Sequence, residues 1–131
     1  MILIIGGFAQ GKLHYVEQHY VQCEIGQEVP VLDGTLELPA GAGASQAIVN
    51  HLHRYIREQL QQGTDPEETL EDFLKKHPDS ILICDEIGNG IVPMEAEERI
   101  YRERTGRILE RLAAQADEVV RVVCGIGQKI K

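Results

Sequence analysis

The sequence lacks what a membrane anchor or an exported scaffold requires. No apolar run among its 131 residues approaches the roughly 20 residues of a membrane-spanning helix. The apolar opening, Met1 to Ile5, has no basic leader and is too short for a secretory signal, so no signal peptide is expected. Cysteine is sparse. Cys23, Cys84 and Cys124 form an odd count without metal-like spacing. Cys84 and Cys124 sit in apolar runs and are expected to be small buried hydrophobes in a reducing cytoplasm. Positive charge is also in deficit: 13 Lys and Arg against 21 Asp and Glu give a formal net charge of -8. Clustered cations are what neutralise a nucleic-acid backbone, so a broad nucleic-acid surface is excluded, while a local pocket for one nucleotide is not. There is no internal repeat and no low-complexity segment.

What remains is an ordinary globular composition, 43% hydrophobic and 26% charged. The length points to a single domain over residues 1–131, and a chain of this size buries about two-thirds of its unfolded surface.

The most informative stretch is Met1 to Leu13, MILIIGGFAQGKL. An apolar run stops at Gly6-Gly7, Gly11-Lys12 follows, and a helix is expected from there. From Gly6 the spacing is that of a phosphate-binding loop with a strand before it and a helix after it. Glycines let the backbone N–H groups turn inward, and the helix N-terminus adds partial positive charge. The expected nucleotide-binding segment is therefore Gly6, Gly7, Phe8, Ala9, Gln10, Gly11, Lys12 and Leu13, with Lys12 reaching the outer phosphates. The alternative is a glycine turn that only joins strand to helix. Leu13 stands where the pattern has Ser or Thr, whose hydroxyl helps to hold Mg2+; leucine offers no oxygen.

Further along, Lys12 to about Val21 has helical spacing, and Val29 to Asp33 reads as a short strand. Gly34 to Ser45, with Pro39 and three glycines, is expected to be a loop. Ala44 to Gln62 is expected to be one helix with Ile48, Leu52, Tyr55, Ile56 and Leu60 on one face, ended by Gly63. A helix follows from Pro66, exiting at Pro78; Ser80 to Cys84 is a buried strand; and Ile87 to Pro93 is a turn. Glu95 to about Ala116 is the longest helix, with Ile100, Ile108, Leu112 and Ala116 inward. Glu118 to Cys124 is the last main strand, and the tail is expected to form a hairpin or edge strand. Alternating strands and helices give an α/β fold of the P-loop NTPase kind, a mainly parallel sheet with helices on both faces.

Ligands of such sheets bind beyond the carboxyl ends of the strands, where Asp33, Asp85 and Glu86 fall. Asp85 is the expected Mg2+-holding acid and Glu86 a group to orient the nucleophile, unless one of the two only caps a turn. Neighbouring strand-end residues point to opposite sides, so the two should not share one ligand equally. Asp33 is either a second acid of the site, ordering the metal or, like Glu86, aligning the attacking hydroxyl, or a turn residue before Gly34. His51 and His53, two apart on the expected helix, should face apart and make no metal pair.

The segment Asp85 to Pro93, DEIGNGIVP, resembles the NEVGxGIVP segment of the bifunctional adenosylcobinamide kinase/adenosylcobinamide-phosphate guanylyltransferase family. Tyr101-Arg102, Gly106-Arg107-Ile108 and Arg111 to Val119 resemble its FRDxxGRxNQRLAAxADEV block, and IIGGFAQGK resembles its VTGGARSGKS. The resemblance covers about the first twenty and last fifty residues. It implies a parallel-sheet nucleotide-binding fold, often trimeric, that uses GTP or ATP with Mg2+ to phosphorylate the aminopropanol hydroxyl of a corrinoid, adenosylcobinamide, in cobalamin biosynthesis. Guanylyl transfer through a guanylylated histidine then follows. Carried over by position, Gly6, Gly7, Gly11 and Lys12 match the phosphate loop and Glu86 the glutamate of NEVG; Asp33 is similar to the acid ending a middle strand. The chain departs from the pattern at Leu13, which replaces serine. The segment bearing the nucleotidylated histidine has no room between Val21 and Val29, and its role is not transferred to His51 or His53. A non-catalytic nucleotide- or corrinoid-binding accessory protein is the competing expectation.

Overall fold

Two unbroken apolar runs and the Val-rich stretch around Arg121 become the adjacent, mutually parallel strands β1 (Ile2–Gly6), β4 (Ile81–Asp85) and β5 (Glu118–Val123). Apolar side chains on both faces suit strands covered on both sides. The computed structural model describes residues 1–21, 28–88 and 94–131. In it, β2 (Val31–Asp33) and β3 (Ile48–Asn50) extend the sheet on one side and β6 (Ile126–Lys129) on the other, in the order β2-β3-β4-β1-β5-β6. Every neighbouring pair is parallel except the hairpin β5/β6. The tail is thus an antiparallel edge strand, as expected. Helices are α1 (Lys12–His19), α2 (Leu52–Gln61), α3 (Pro66–Lys76) and α4 (Ala96–Gln115). None among the described residues is long and apolar enough to cross a membrane.

Alternation along the strands sorts the core into two layers. Leu3, Val49, Leu82 and Val119 pack with Leu52 and Ile56 of α2, Leu70 and Phe73 of α3, and Ile108 and Leu112 of α4. Ile4, Ile48, Ile83 and Val120 pack on the other face with Val16 of α1. This is the P-loop NTPase-like arrangement, a mostly parallel sheet with helices on both faces.

Local signals set several boundaries. Gly63, at φ +74, follows the end of α2, and Asp65 caps α3 by accepting from the Glu67 N–H, with Pro66 in the first turn. Other expectations need correction. Ala44 to Gln62 is not one helix: Ile48–Asn50 is β3, hydrogen-bonded between β2 and β4, and α2 starts only after His51. Ile48 and Leu52 satisfy a helical period by coincidence, while β-branched Ile48 and Val49 suit a covered strand. In α4, Ile100 is exposed, and Tyr101 and Thr105 occupy the inner stripe instead. Cys84 is buried, and burial pushes its thiol up to about 12. Cys124 is exposed because it and Gly125 form the two-residue β5/β6 turn. Cys23 and positions 89–93 of the expected turn lie outside the described residues.

Candidate functional site

β1 delivers the glycine loop to the carboxyl edge of the sheet. Gly6 is in register with Asp85, and a Cβ on Gly6 would lie 2.4 Å from the Val122 carbonyl oxygen, so the loop leaves a strand that admits no side chain there. Ala9 (φ +53) and Gly11 (φ +80) take left-handed backbone, and Gly11 is the residue from which α1 starts. The first N–H groups of a helix have no intrahelical partners, and they open here beside the loop. The loop is tied from behind by the β5/β6 turn. The Cys124 N–H donates to Gln10 Oε1 at 2.7 Å, and the Gly125 N–H to the Gln10 carbonyl at 2.8 Å. Both turn residues have positive φ, +50 and +75, as a tight primed hairpin turn requires.

Lys12 is the most constrained charge of the site. It is 7% exposed, and Nζ donates to the Gly7 carbonyl at 2.6 Å while lying 2.6 Å from Asp85 Oδ1. Asp85 also faces His53. The Asp85 N–H donates to His53 Nδ1 at 3.3 Å, and His53 Nε2 lies 3.6 Å from Asp85 Oδ2. Because Nδ1 accepts, the ring is neutral with its proton on Nε2, toward the carboxylate. Burial holds the His53 imidazole below its ordinary value, against the opposing pull of Asp85.

The opposite wall comes from the end of β3 and the turn into α2, with Asp33 of β2 behind it. His51 has φ +54, a left-handed turn between β3 and α2. Its Nδ1 contacts Asp33 Oδ1, and the Asn50 amide donates to the same oxygen at 3.4 Å. Phe8 to His14, Asn50, His51 and Asp85 together line a cleft of about 210 Å3. Apolar pockets elsewhere, such as the one between α3 and α4, bear none of this chemistry.

The structure thus brings Gly6 to Leu13, Asp85 and Asp33 to one end of the sheet. Glu86 points the other way from Asp85, as alternation requires. Its carboxylate meets Arg121 of β5 side-on, with Nε to Oε1 at 2.7 Å and a terminal nitrogen to Oε2 at 3.1 Å. The expectation that His51 and His53 face apart is overturned: their rings lie 5.6 Å apart, edge to face. Two-residue spacing separates side chains on a helix, but His51 precedes the helix on left-handed backbone. The overlooked signal was the run Ala47-Ile48-Val49 ending on polar Asn50, the same apolar-then-polar strand ending seen at Asp33 and Asp85.

The residues fit Mg2+ as a one-carboxylate site. Among the described residues no group of three or more His, Cys, Asp or Glu could hold a metal, and the Leu13 side chain packs on the α1 core layer. Mg2+ commonly takes only one or two protein carboxylates, with nucleotide phosphates and water completing its shell, and Asp85 meets that need.

The model of the family described as cobinamide kinase / cobinamide phosphate guanyltransferase matches residues 43–130, more than half of the chain. The match begins after the glycine loop. Over 51 residues the chain is 53% identical to the bifunctional adenosylcobalamin biosynthesis protein CobU of Salmonella typhimurium, a stretch covering 39% of this chain and 28% of that protein. It is 49% identical over 51 residues to the protein of the same description from Escherichia coli, with the same 39% and 28% coverage. The matched stretch is therefore well under half the length of these relatives.

Proposed function

The chain belongs to the cobinamide kinase / cobinamide phosphate guanyltransferase family, and from that premise we propose that it binds GTP or ATP and phosphorylates a cobinamide-like alcohol in cobalamin biosynthesis. The observation that carries this reading is the position of Lys12: a buried ammonium at the mouth of a glycine loop and helix N-terminus, held 2.6 Å from the carboxylate ending the neighbouring strand. A buried lysine on a carboxylate is a charge reserve for an anion. Phosphates seated in the loop would take over its ammonium, and Asp85 would then be released to hold Mg2+ with those phosphates. When bound, Mg2+ would neutralise charge on the outer phosphate oxygens. The backbone of Gly7 to Gly11 would bind and orient the phosphates, so catalysis rests on positioning and charge neutralisation.

Guanylyl transfer is not part of this reading, because the histidine-bearing segment of the family has no room between Val21 and Val29. A cytoplasmic homo-oligomer, a trimer by the family resemblance, belongs to it and is testable by light scattering. Leu13 favours one alternative, a non-catalytic nucleotide- or corrinoid-binding accessory protein. Nucleotide affinity measured with and without Mg2+ decides between them. The kinase reading expects tighter binding with the ion, and equal affinity would sink it. Transfer of labelled γ-phosphate to cobinamide is the direct assay, and Leu13→Ser is expected to raise both turnover and Mg2+ dependence.

A further inference from the structure

Resting on the kinase reading above, we propose that His51, oriented by Asp33, is the base that receives the proton of the acceptor hydroxyl. The geometry points to it by what each candidate nitrogen or oxygen is already doing. Both ring nitrogens of His53 face Asp85. The Glu86 carboxylate is engaged on both oxygens by Arg121. Asp33, itself an earlier candidate for aligning the hydroxyl, has its Oδ1 shared between the His51 ring and the Asn50 amide.

His51 differs from these. A carboxylate oxygen against Nδ1 requires the proton to sit on Nδ1, because two lone pairs would repel. The Asn50 amide nitrogen, 3.3 Å from Nδ1, is accounted for by its donation to the same Asp33 oxygen. The lone pair is thereby left on Nε2, which has no partner among the described residues, on a ring that lines the cleft shared with Lys12 and Asp85. A carboxylate holding Nδ1–H and a free Nε2 is the arrangement of a histidine base with its orienting acid. The left-handed backbone of His51 turns its ring to the wall that Asp33 occupies, where a residue of α2 proper would follow the helix.

The step balances as follows. The acceptor oxygen forms its bond to the γ-phosphorus as the bond from that phosphorus to the β,γ-bridging oxygen breaks, and the nucleoside diphosphate leaves. The hydroxyl proton passes to His51 Nε2, the Asp33 carboxylate stabilises the imidazolium, and solvent later takes the proton. His51 is a catalytic residue in this scheme and Asp33 a positioning residue.

The test uses the full chain with γ-labelled GTP or ATP and cobinamide. His51→Asn is the first variant, since asparagine tolerates left-handed backbone. It should lower kcat by about 100-fold, in the range of general-base catalysis, with nucleotide affinity within about twofold and the alkaline-rising limb of the kcat–pH profile abolished. Asp33→Asn should lower kcat by about tenfold and, by long-range proton–nitrogen NMR, move the His51 proton from Nδ1 toward Nε2. A wild-type chain that transfers phosphate while His51→Asn keeps its rate and pH profile overturns the base and leaves the kinase reading standing. An Nε2–H tautomer in the wild type also overturns it. A wild-type chain that binds nucleotide but transfers nothing overturns both readings.

Discussion

Two strands of the sheet end in an aspartate at the same edge, and the two carboxylates live in different conditions. Asp85 ends β4 in the middle of the sheet, where its side chain is 14% exposed and lies between Lys12 and His53. Asp33 ends the edge strand β2, where its side chain is 62% exposed and meets His51 and Asn50. A central strand end is walled by its neighbours, so a charge there must be matched by another charge. An edge strand end is open to water, so a charge there can orient a neighbour without any stability depending on it. Position in the sheet thus sets the surroundings of each acid: Asp85 is matched by Lys12, and Asp33 stays open to water beside His51.

The sharpest way to break this comparison is to remove each charge. Asp85→Asn should destabilise the fold by about 3 kcal/mol, because Lys12 is left as a nearly buried unpaired ammonium. Urea denaturation would measure it, and a loss near zero would mean that the pair is solvated. The glycines beside the two acids give the next contrast. Gly6→Ala, opposite Asp85, pushes a methyl against the Val122 backbone carbonyl at 2.4 Å and should cost about 2 to 3 kcal/mol. Gly34→Ala, after Asp33, meets only the Arg54 Cβ at 3.5 Å, so its cost is that of φ +66 alone, about 1 kcal/mol.

A third contrast is in pH. Burial lowers the folded His53 value, so the unfolded chain takes up a proton that the folded chain refuses. Stability should therefore fall as pH drops through the ordinary histidine value of about 6.5 and level off below the depressed folded one. His53→Asn should flatten that part of the urea-midpoint profile, and an unchanged slope would show that the ring is not held neutral. The smallest effect is expected at the edge. Asp33→Asn should change stability by under about 0.5 kcal/mol, as for an exposed ion pair, even while it alters turnover.

The sequence makes one of these two environments readable and hides the other. SILIC before Asp85 is a run of five residues with no helical alternative, and IIGGFAQGK fixes loop and helix by glycine spacing. The gathering of Gly6 to Leu13 with Asp85 at one end of the sheet is legible for that reason. The wall formed by Asn50 and His51 is not. β3 has only three residues, and Ile48, Leu52, Tyr55 and Ile56 fit a helical stripe as well as they fit a strand followed by a helix. The single left-handed residue that separates the two readings is a histidine rather than a glycine, so composition does not flag it. His51 falls outside the expected helix as a result, whereas His53 lies on α2. Lys12 itself is legible, but its burial against Asp85 depends on the parallel pairing of β1 with β4, which joins residues about eighty positions apart.

The grip of the Cys124–Gly125 turn on Gln10 has a consequence for the order in which the molecule can be made. The loop is synthesised more than a hundred residues before residues 124 and 125, which supply the two hydrogen bonds that hold it. At about 5 to 20 residues per second, many seconds separate the synthesis of the loop from that of its clasp. Until then the glycine segment lacks the clasp and a complete β5, although β4 is made about forty residues earlier. A nascent chain therefore completes the backing of its glycine loop only once the closing hairpin has emerged.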